Sequence, residues 1–388
     1  MFLKSLNLTN FRNYTSLDLT FSKKPTIFIG PNGAGKSNIL EAIYLLSTTK
    51  SPRVELETEL IKEDNNFFNV KGILDGQVEL LISVVEEEGL SETSSSLSKR
   101  VMVNGVGRRV VDFIGQLPAV IFWPSDINMV TGSPSLRRWH LDLTLAQIDP
   151  QYKKALTLYE QILYSRNRVL KRIREEQGKL DELTYWTDQL IEKGEIITSK
   201  RQQFFEFINQ LQNPLGNFKF EYKQSLPFSD EKGKPSELLD REIAAAQTLI
   251  GPHRDDFRVI LNASEGSLDS FQNKSGDSSP SAQNDKSRDM AHFGSRGEQR
   301  MATLAFKLAT LEYMSKVLGK RPILLLDDVF SELDTNHRAQ VAEIAKLQQT
   351  IIATVELENI PQDFLDSSSI LQVEDGKIME GIDIFTEA

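Results

Sequence analysis

A glycine-rich segment near the N-terminus has the residue types and spacing of a phosphate-binding loop. Residues 30–37, GPNGAGKS, match the pattern G-x-x-x-x-G-K-[ST] between an apolar run and a stretch with apolar residues at helical spacing. Glycines let successive backbone N–H groups turn towards phosphate oxygens, and the start of a helix adds partial positive charge. We expect Lys36 to reach the outer phosphates of a nucleoside triphosphate and Ser37 to bind Mg²⁺. The structural alternative is a glycine-rich turn that happens to precede a helix.

A second candidate for chemistry is a pair of carboxylates late in the chain. The apolar run 322–326 ends directly in Asp327 and Asp328. This pattern is typical of a central parallel strand whose carboxyl end faces a ligand crevice. A carboxylate at the end of a buried strand needs a partner, and Mg²⁺ on a triphosphate would supply it for Asp327. Asp328 is then predicted to orient or deprotonate the attacking water, unless both carboxylates only cap the following turn.

Two further short motifs flank this strand. Residues 295–300, SRGEQR, form a small-residue loop that opens a helix, which is a second candidate anion site. One chain does not need two triphosphate cradles, so we expect this loop to face a nucleotide bound by a second copy. Residues 331–334, SELD, follow the carboxylate pair, and alone they favour an ordinary helix start with Ser331 as N-cap.

The helices and strands that must position these residues can be predicted from the distribution of apolar and turn residues and from the spacing of the apolar ones. The chain has 388 residues, enough for two to three domains. Residues 1–140 mix short apolar runs with turn residues around one helical stretch, as expected for an α/β fold. Residues 141–250 are predicted to form a helical arm domain, in which apolar residues recurring three, four or seven apart from residue 151 to about 211 predict a helical hairpin broken near Gly178.

Residues 251–388 are predicted to form a second α/β portion, with a helix from Met301 to Leu318 and a strand from Gln349 to Ala353. The segment 262–289 is dominated by Ser, Asn, Asp, Gln and Gly and is predicted to be a disordered insert. A smaller serine-rich stretch at 91–98 is expected to be a hairpin tip.

Composition excludes several classes of protein. The chain has no cysteine and four histidines, so disulfides, thiolate metal sites and cysteine nucleophiles are excluded and any metal must be held by oxygen. The net charge of −10 argues against binding to nucleic acid by bulk electrostatics. No apolar run approaches the roughly 18 residues of a bilayer span, and the N-terminus lacks the apolar core of a secretory signal. We therefore expect a cytoplasmic protein.

Any contact with nucleic acid must come from a local patch of positive charge. The clearest excess lies in the arm, at Arg166, Arg168, Lys171, Arg172 and Arg174. These residues could neutralise phosphates without distinguishing bases, or they could be an ordinary solvated helix face. Arg137 and Arg138 form a smaller candidate patch. Arg254 stands beside Asp255 and Asp256, so an internal salt bridge is at least as plausible there as a DNA contact.

The order of these motifs resembles an ABC-type ATPase head, an α/β P-loop NTPase fold with an inserted helical arm domain. Within that class the chain resembles the RecF family over nearly its full length. The matching stretches are NFRNY (10–14), GPNGAGKSNILEAIYLLS (30–47), GSP and RRWHLD (132–142), GPHRDD (251–256), GSRGEQR (294–300) and LLLDDVFSELD (324–334).

The resemblance implies a role for individual residues. The ATP-binding residues would be Gly30, Pro31, Asn32, Gly33, Ala34, Gly35, Lys36, Ser37, Asn38 and Arg12. Ser37 and Asp327 would hold Mg²⁺, while Asp328 and Lys36 would serve hydrolysis. The residues closing on the partner's γ-phosphate would be Ser295, Gly297, Glu298 and Gln299. Asp334 would lie at the shared interface, and Thr354 is the candidate γ-phosphate sensor.

The resemblance also implies a function. It implies an ATP-controlled protein that binds gapped, single-stranded or duplex DNA without sequence preference in recombinational repair and replication-fork maintenance. ATP binding would drive head-to-tail dimerisation, and a weak, DNA-stimulated hydrolysis would release the dimer. RecR and RecO are the partners that the resemblance implies.

The chain departs from the family pattern in three places, and two other functions stay open. The serine-rich insert replaces a short turn, Val355 and Glu356 follow Thr354 where a histidine or further threonines are expected, and the glutamine of the metal-side loop cannot be placed, although Gln116 is near. The alternatives are the ATPase subunit of an ABC transporter and an SMC-like chromosome protein. The arm between Lys36 and Ser295 argues against the first, and its shortness argues against a long coiled coil.

Overall fold

The computed structural model describes residues 2–88, 95–225, 236–262 and 287–379. The chain divides into two compact units, the first comprising Met1–Ser125 with Thr310–Ala388 and the second comprising Asp126–Ala309. The first unit therefore combines both ends of the sequence. The second begins before residue 141 and extends beyond residue 250, the bounds expected for the helical arm.

A six-stranded, mainly parallel sheet lies in the first unit, in the order β15-β14-β3-β13-β12-β8. Its strands are β3 (Thr26–Ile29), β8 (Ala119–Phe122), β12 (Ile323–Asp327), β13 (Thr350–Thr354), β14 (Ser369–Glu374) and β15 (Lys377–Met379). The strands expected before the phosphate loop and before the carboxylate pair are thus both present, and the strand expected at Gln349–Ala353 is shifted by one residue. Carboxyl ends of parallel strands share one edge, so both motifs lie at the same edge of this sheet.

An antiparallel sheet of six strands completes the first unit, in the order β2-β1-β4-β5-β6-β7. Its strands are β1 (Leu3–Phe11), β2 (Tyr14–Thr20), β4 (Phe67–Leu74), β5 (Glu79–Glu88), β6 (Ser95–Val103) and β7 (Val106–Arg108). β5 and β6 pair antiparallel, and of the hairpin tip expected at 91–98, residues 95–98 belong to β6 while 91–94 lie outside the described residues.

Helix α1 (Lys36–Thr48) contacts strands of both sheets. Its apolar residues, among them Ile39, Leu40, Ile43 and Leu46, are fully buried in one cluster with side chains of both sheets. A helix that is apolar on nearly every side must be buried on every side. The sequence of α1 therefore requires this position in the core, and the core in turn fixes the start of the helix, where the phosphate loop ends.

Shorter helices of the first unit are α2 (Val110–Phe113), α10 (Thr335–Ala345) and α11 (Gln362–Asp366). The expectation that Ser331 caps a helix is wrong, because Asp334 is the N-cap of α10 and accepts a hydrogen bond from the backbone N–H of His337 at 3.0 Å. Ser331 instead lies in the short 3-10 turn Phe330–Glu332 and donates to the carbonyl of Asp328 at 2.7 Å.

The second unit contains the predicted helical hairpin. Its elements are α3 (Asn128–Thr131), α4 (Pro134–Ile148), α5 (Pro150–Arg174), α6 (Asp181–Ile208), β9 (Phe218–Lys223), α7 (Ser236–Ala245), β10 (Asp256–Asn262), β11 (Ser287–Asp289), α8 (Met290–Phe293) and the first part of α9 (Arg296–Leu318). The hairpin is formed by α5 and α6, with Gly178 in the break between them. Helix α9 begins five residues before the expected Met301. No described helix has the length and apolar composition to cross a membrane.

The ends of the expected disordered insert are ordered strands. Asn262 of β10 is paired with Ser287 of β11, and the ladder continues to Asp289. The predicted bounds 262–289 were therefore too wide at both ends, and residues 263–286 lie outside the described part of the chain.

Two motifs that carry no evident chemistry converge on a buried arginine of the second unit. Arg201 of α6 is 1% exposed. Its guanidinium donates to Asp142 at 2.7 Å, to the carbonyl of Pro252 at 2.7 Å and to the hydroxyl of Tyr152 at 3.0 Å, and lies 3.5 Å from Asp255. Asp142 ends the stretch RRWHLD, and Pro252 and Asp255 belong to GPHRDD, which leads into β10. These motifs therefore tie helices α4, α5 and α6 to the three-stranded antiparallel sheet of this unit, in the order β11-β10-β9.

The neighbouring charges extend this network to Arg137 and Arg138, the smaller of the two candidate patches for DNA. Arg137 makes a two-pronged contact with Asp256, at 2.6 and 2.9 Å, and Arg138 donates to the carbonyl of Asp255 at 2.7 Å. Both proposed DNA contacts are thus engaged within the unit. Arg254 is exposed, and Asp255 and Asp256 pair with Arg201 and Arg137 instead of with it.

Replacing Arg201 tests how strongly this network holds the second unit. Arg201→Met leaves Asp142 and Asp255 without their buried cation, so we expect the free energy of unfolding to fall by about 3–5 kcal/mol. The measurement is equilibrium urea denaturation followed by circular dichroism. The matched control is Arg172→Met, because Arg172 pairs with Glu182 at 2.9 Å on the surface, where a pair contributes less than about 1 kcal/mol. Equal effects of the two substitutions would contradict the assignment.

Candidate nucleotide-binding site

A cavity of about 240 Å³ opens at the carboxyl edge of the parallel sheet, within the first unit. Its lining residues are Asn32, Gly33, Gly35, Lys36, Ser37, Asn38, Arg53, Pro124, Asp327, Asp328, Ala353, Thr354 and Val355. The structure thus brings together the glycine-rich loop, the carboxylate pair and Thr354, which are far apart in the sequence.

The glycine-rich loop depends on glycine at its last turn. Gly35, the N-cap of α1, has φ +114°, and Gly33 has φ +81°, both in the left-handed region. A Cβ atom at Gly35 would also lie 2.6 Å from Nδ2 of Asn13 and 2.7 Å from the hydroxyl of Tyr14. Gly35 therefore satisfies both a backbone and a packing requirement, and this conformation leads into the N-terminus of a helix, where backbone N–H groups can bind an anion.

Lys36 folds back across this loop. Its Nζ donates to the carbonyl oxygens of Gly30 at 2.7 Å and Pro31 at 2.8 Å, and the residue is 7% exposed. Burial lowers the pKa of Lys36, while the charges of Asp327 and Asp328 oppose that shift. Two hydrogen bonds thus hold the amine over the loop, where it could contact phosphate oxygens.

Asp327 and Ser37 lie in direct contact. The Ser37 hydroxyl donates to Oδ1 of Asp327 at 2.7 Å. Burial raises the pKa of Asp327 to about 6, while the hydrogen bond from Ser37 and the charge of Arg53 oppose the shift. A half-buried carboxylate beside a hydroxyl offers the hard oxygen donors that Mg²⁺ prefers, and two protein ligands leave the remaining positions to phosphate and water. The donor set therefore fits a magnesium ion bound together with a triphosphate.

Asp328 turns the chain sharply after β12. Its φ of +53° lies in the left-handed region, which Asp tolerates better than most residues. Its N–H donates to the carbonyl of Ala353 at 2.8 Å. This conformation places two consecutive carboxylates at the cavity, although side chains alternate along a strand.

Thr354 lines the cavity and is 2% exposed. Its hydroxyl donates to the carbonyl of Glu356 at 3.0 Å and accepts from the N–H of the same residue at 3.3 Å. The candidate sensor hydroxyl is therefore engaged in closing the turn that follows β13.

Two arginines surround a buried carboxylate next to the cavity. Glu41 of α1 is 0% exposed and pairs with Arg12 at 2.8 Å and with Arg53 at 3.0 Å. Arg12, expected to bind the nucleotide, is not among the lining residues. Arg53 does line the cavity, and its guanidinium lies 5.3 Å from the ring centroid of Trp123.

Arg53 is a lining residue that none of the sequence motifs identifies. The signal that could have found it is Glu41, the one charged residue in the apolar stretch 39–46 of α1, because a buried carboxylate needs a cation nearby.

The exposed loop at the start of α9 belongs to the second unit. Ser295 and Glu298 form a reciprocal capping box. The backbone N–H of Ser295 donates to Oε2 of Glu298 at 2.8 Å, and the backbone N–H of Glu298 donates to Oγ of Ser295 at 3.3 Å. Ser295 and Gly297 are exposed, and a Cβ at Gly297 would meet no atom within 4 Å. Gln299 differs from them, because it is 9% exposed and its amide donates to the carbonyl of Met290 at 2.9 Å.

The basic residues of the arm do not form one face. Arg166 is 2% exposed and pairs with Glu242 at 2.7 Å, so its assignment as a DNA contact is wrong. The remaining four, Arg168, Lys171, Arg172 and Arg174, are exposed. Three of them lie within 4.0 Å of Glu175 or Glu182, and Arg168 lies over the ring of Tyr164.

Comparison with known proteins gives consistent matches over nearly the whole chain. Residues 2–377 match the family model described as RecF/RecN/SMC N terminal domain. The chain is 33% identical to the DNA replication and repair protein RecF of Herpetosiphon aurantiacus, covering 97% of this chain and 99% of that protein. It is also 33% identical to the protein of the same name from Chloroflexus aurantiacus, covering 98% and 100%.

A solved structure is also similar. It is described as the recombination mediator protein RecF-ATP in the RecFOR pathway, and it matches with a TM-score of 0.79 and 28% identity over 98% of this chain and 99% of that one.

Alanine substitutions at two glycines separate the two demands on the loop. Gly35→Ala is strained by the left-handed φ and also places its Cβ too close to Asn13 and Tyr14. Gly33→Ala is strained by the left-handed φ alone. We expect Gly33→Ala to lower the free energy of unfolding by about 1–2 kcal/mol, and Gly35→Ala by at least about 2 kcal/mol more. Urea denaturation of both variants measures the difference. If Gly35→Ala lowers the free energy of unfolding no more than Gly33→Ala does, Asn13 and Tyr14 move aside at no energetic cost, and the packing requirement is wrong.

Proposed function

The chain belongs to the RecF family, and we propose on that basis that it is an ATP-controlled DNA-binding protein of recombinational repair and replication-fork maintenance. The observation that carries the proposal is the cavity in which the glycine-rich loop, Lys36, the Ser37–Asp327 pair and Asp328 meet. The relatives reported above are named RecF, which favours this proposal over the ATPase subunit of a transporter and over the SMC-like chromosome protein.

Each group at the cavity has a part in ATP binding and hydrolysis. Backbone N–H groups of the loop and the Lys36 amine would bind phosphate oxygens. Ser37 and Asp327 would hold Mg²⁺, which would offset the charge of the triphosphate. Asp328 lies beside Asp327 at the end of β12, where its carboxylate could orient a water molecule or accept its proton. Hydrolysis by this arrangement would be slow and would serve as a timer for release.

A second copy would complete the site. The residues Ser295 and Gly297 are exposed at the start of a long helix, as a loop that contacts a partner's γ-phosphate must be. Asp334 keeps 64% of its side chain exposed and could contact the partner, although it also caps α10 and pairs with His337 at 2.7 Å. Glu298 and Gln299 would support the loop from within their own chain.

The arm supplies the proposed DNA contacts. The exposed basic residues Arg168, Lys171, Arg172 and Arg174 would neutralise phosphates and discriminate little between base sequences. A gapped substrate, stimulation of hydrolysis by DNA, action in the cytoplasm, and partnership with RecR and RecO also belong to the proposal. The name of the RecFOR pathway supports the last point.

Dimerisation tests the switch. We expect the wild-type chain to sediment as a dimer at saturating Mg-ATP and as a monomer without it. Lys36→Ala should stay monomeric because the amine that binds the phosphates is lost. Asp328→Asn should accumulate the dimer, because ATP still binds while water is no longer activated, with a fall in turnover of about a hundredfold or more. Monomeric Asp328→Asn at saturating Mg-ATP and gapped DNA would refute the proposal.

DNA binding separates the exposed arm residues from the buried one. Lys171→Met should weaken binding of gapped DNA with ATP, reduce the slope of log K against log salt by about one, and leave stability within about 0.5 kcal/mol of wild type. Arg166→Met should lower the free energy of unfolding by about 3 kcal/mol or more, since Glu242 loses its buried partner. Binding is measured by fluorescence anisotropy at several salt concentrations. An unchanged slope for Lys171→Met would remove the arm from the DNA surface.

A further inference from the structure

The turn between β1 and β2 contacts the phosphate loop through Asn13, which is not among the residues that line the cavity. Nδ2 of Asn13, in this turn, donates to the carbonyl oxygen of Ala34 at 3.1 Å. The backbone N–H of Gly376, in the turn between β14 and β15, donates to the same oxygen at 3.0 Å. Two donors thus fix the direction of one carbonyl in the loop.

Fixing that carbonyl also fixes the adjacent N–H. In a trans peptide the C=O and N–H groups point in opposite directions, and the described chain has no cis peptide bond. The oxygen of Ala34 is held by Asn13 and Gly376, so the N–H of Gly35 is directed to the opposite side. Gly35 lines the cavity, and its N–H is one of the groups that a phosphate would meet.

Asn13 is also connected to the cavity through Asn38. Nδ2 of Asn38 donates to Oδ1 of Asn13 at 2.9 Å, and Oδ1 of Asn38 accepts from Nη1 of Arg53 at 3.0 Å. A guanidinium can only donate and a backbone carbonyl can only accept, so both amides have one possible orientation. The hydrogen bonds therefore run in one direction, from Arg53 through Asn38 and Asn13 to Ala34.

The turn that carries Asn13 is itself held in place. Arg12 has φ +54° and makes a two-pronged contact with the buried Glu41 at 2.8 and 2.9 Å. Nζ of Lys62 donates to the carbonyl of Asn13 at 2.8 Å. Tyr14 is fully buried, and its hydroxyl, for which the described residues offer no hydrogen-bond partner, occupies the space beneath Gly35. Asn13 thus contacts the loop from a fixed base.

We propose that Asn13 is a positioning residue of the ATP site, which directs the Gly35 N–H and the Arg53 guanidinium towards the phosphates through one chain of hydrogen bonds. The inference rests on the ATP binding proposed above and adds a residue to that site that does not touch the nucleotide. Its effect is preorganisation, because a donor that is already directed at the ligand loses no free energy to reorientation when the ligand binds.

Asn13→Asp is the sharpest test, because the two side chains have the same shape. The aspartate keeps an acceptor for Asn38 but places an oxygen against the Ala34 carbonyl, where it repels instead of donating. We expect the dissociation constant for a fluorescent ATP analogue to rise about tenfold to a hundredfold, as for loss of a hydrogen bond to a charged ligand. The matched control is Asn65→Asp in the same unit, where Nδ2 donates to the carbonyl of Glu63 at 3.0 Å on the surface; its binding should stay within about twofold of wild type.

A measurement without nucleotide separates positioning from general destabilisation. Amide hydrogen exchange across residues 30–38 should be faster in Asn13→Asp and unchanged in Asn65→Asp, because only the first variant frees the loop peptides. If Asn13→Asp does not fold, Asn13→Ala decides, since it removes the donor without adding repulsion; its dissociation constant should rise at least about threefold.

The outcomes separate this inference from the function on which it rests. Tight binding of ATP by the wild type, with unchanged affinity and loop exchange in the folded Asn13 variants, would overturn the role of Asn13 alone. Failure of the wild type to bind ATP would overturn the proposed function and this inference with it.

Discussion

Parallel pairing of three strands is the constraint on which the candidate site depends. Thr354 of β13 lies opposite Ile29 of β3, and Asp327 of β12 lies opposite Ala353. The three strands therefore end at the same level, and whatever follows each of them meets its neighbours. This register brings the phosphate loop, the carboxylate pair and the threonine turn close together. A shift of one strand by one residue would also turn each of its side chains to the opposite face of the sheet.

Buried charge is handled in the same way in both units. The first unit buries Glu41 and surrounds it with Arg12 and Arg53, and the second buries Arg201 among carboxylates and hydroxyls. Removing charges from water costs several kcal/mol per ion, and close ion pairing with full hydrogen bonding offsets that cost. Such clusters contribute little net stability compared with apolar packing, but they penalise any arrangement in which a partner is displaced. This gives the phosphate loop and the base of the arm a defined geometry.

The sequence predicts features formed by residues that are close together in the chain, and it does not predict contacts between residues that are far apart in it. The phosphate loop and the strand before Asp327 are local patterns, and the structure places them as expected. Arg53 and Asn13 were not identified, because their partners are distant in the chain and become neighbours only when α1 packs between the sheets. Arg166 shows a different failure: it stands four residues after Ile162 and three before Val169, on the buried stripe of α5, so the helical period already excluded it from the solvated face. At this position the local excess of positive charge predicts exposure and the helical period predicts burial, and the period is right.

The pairing of Asn262 with Ser287 bears on how this protein could vary between species. The two strands reach the end of the β10–β11 ladder at directly opposed positions. The distance that any connection must span is therefore set by the ladder and not by the connection, and a tight two-residue turn would satisfy it. Because the entropic penalty of a longer closed loop grows only slowly with its length, evolution can lengthen or trim this connection while the surrounding architecture is preserved.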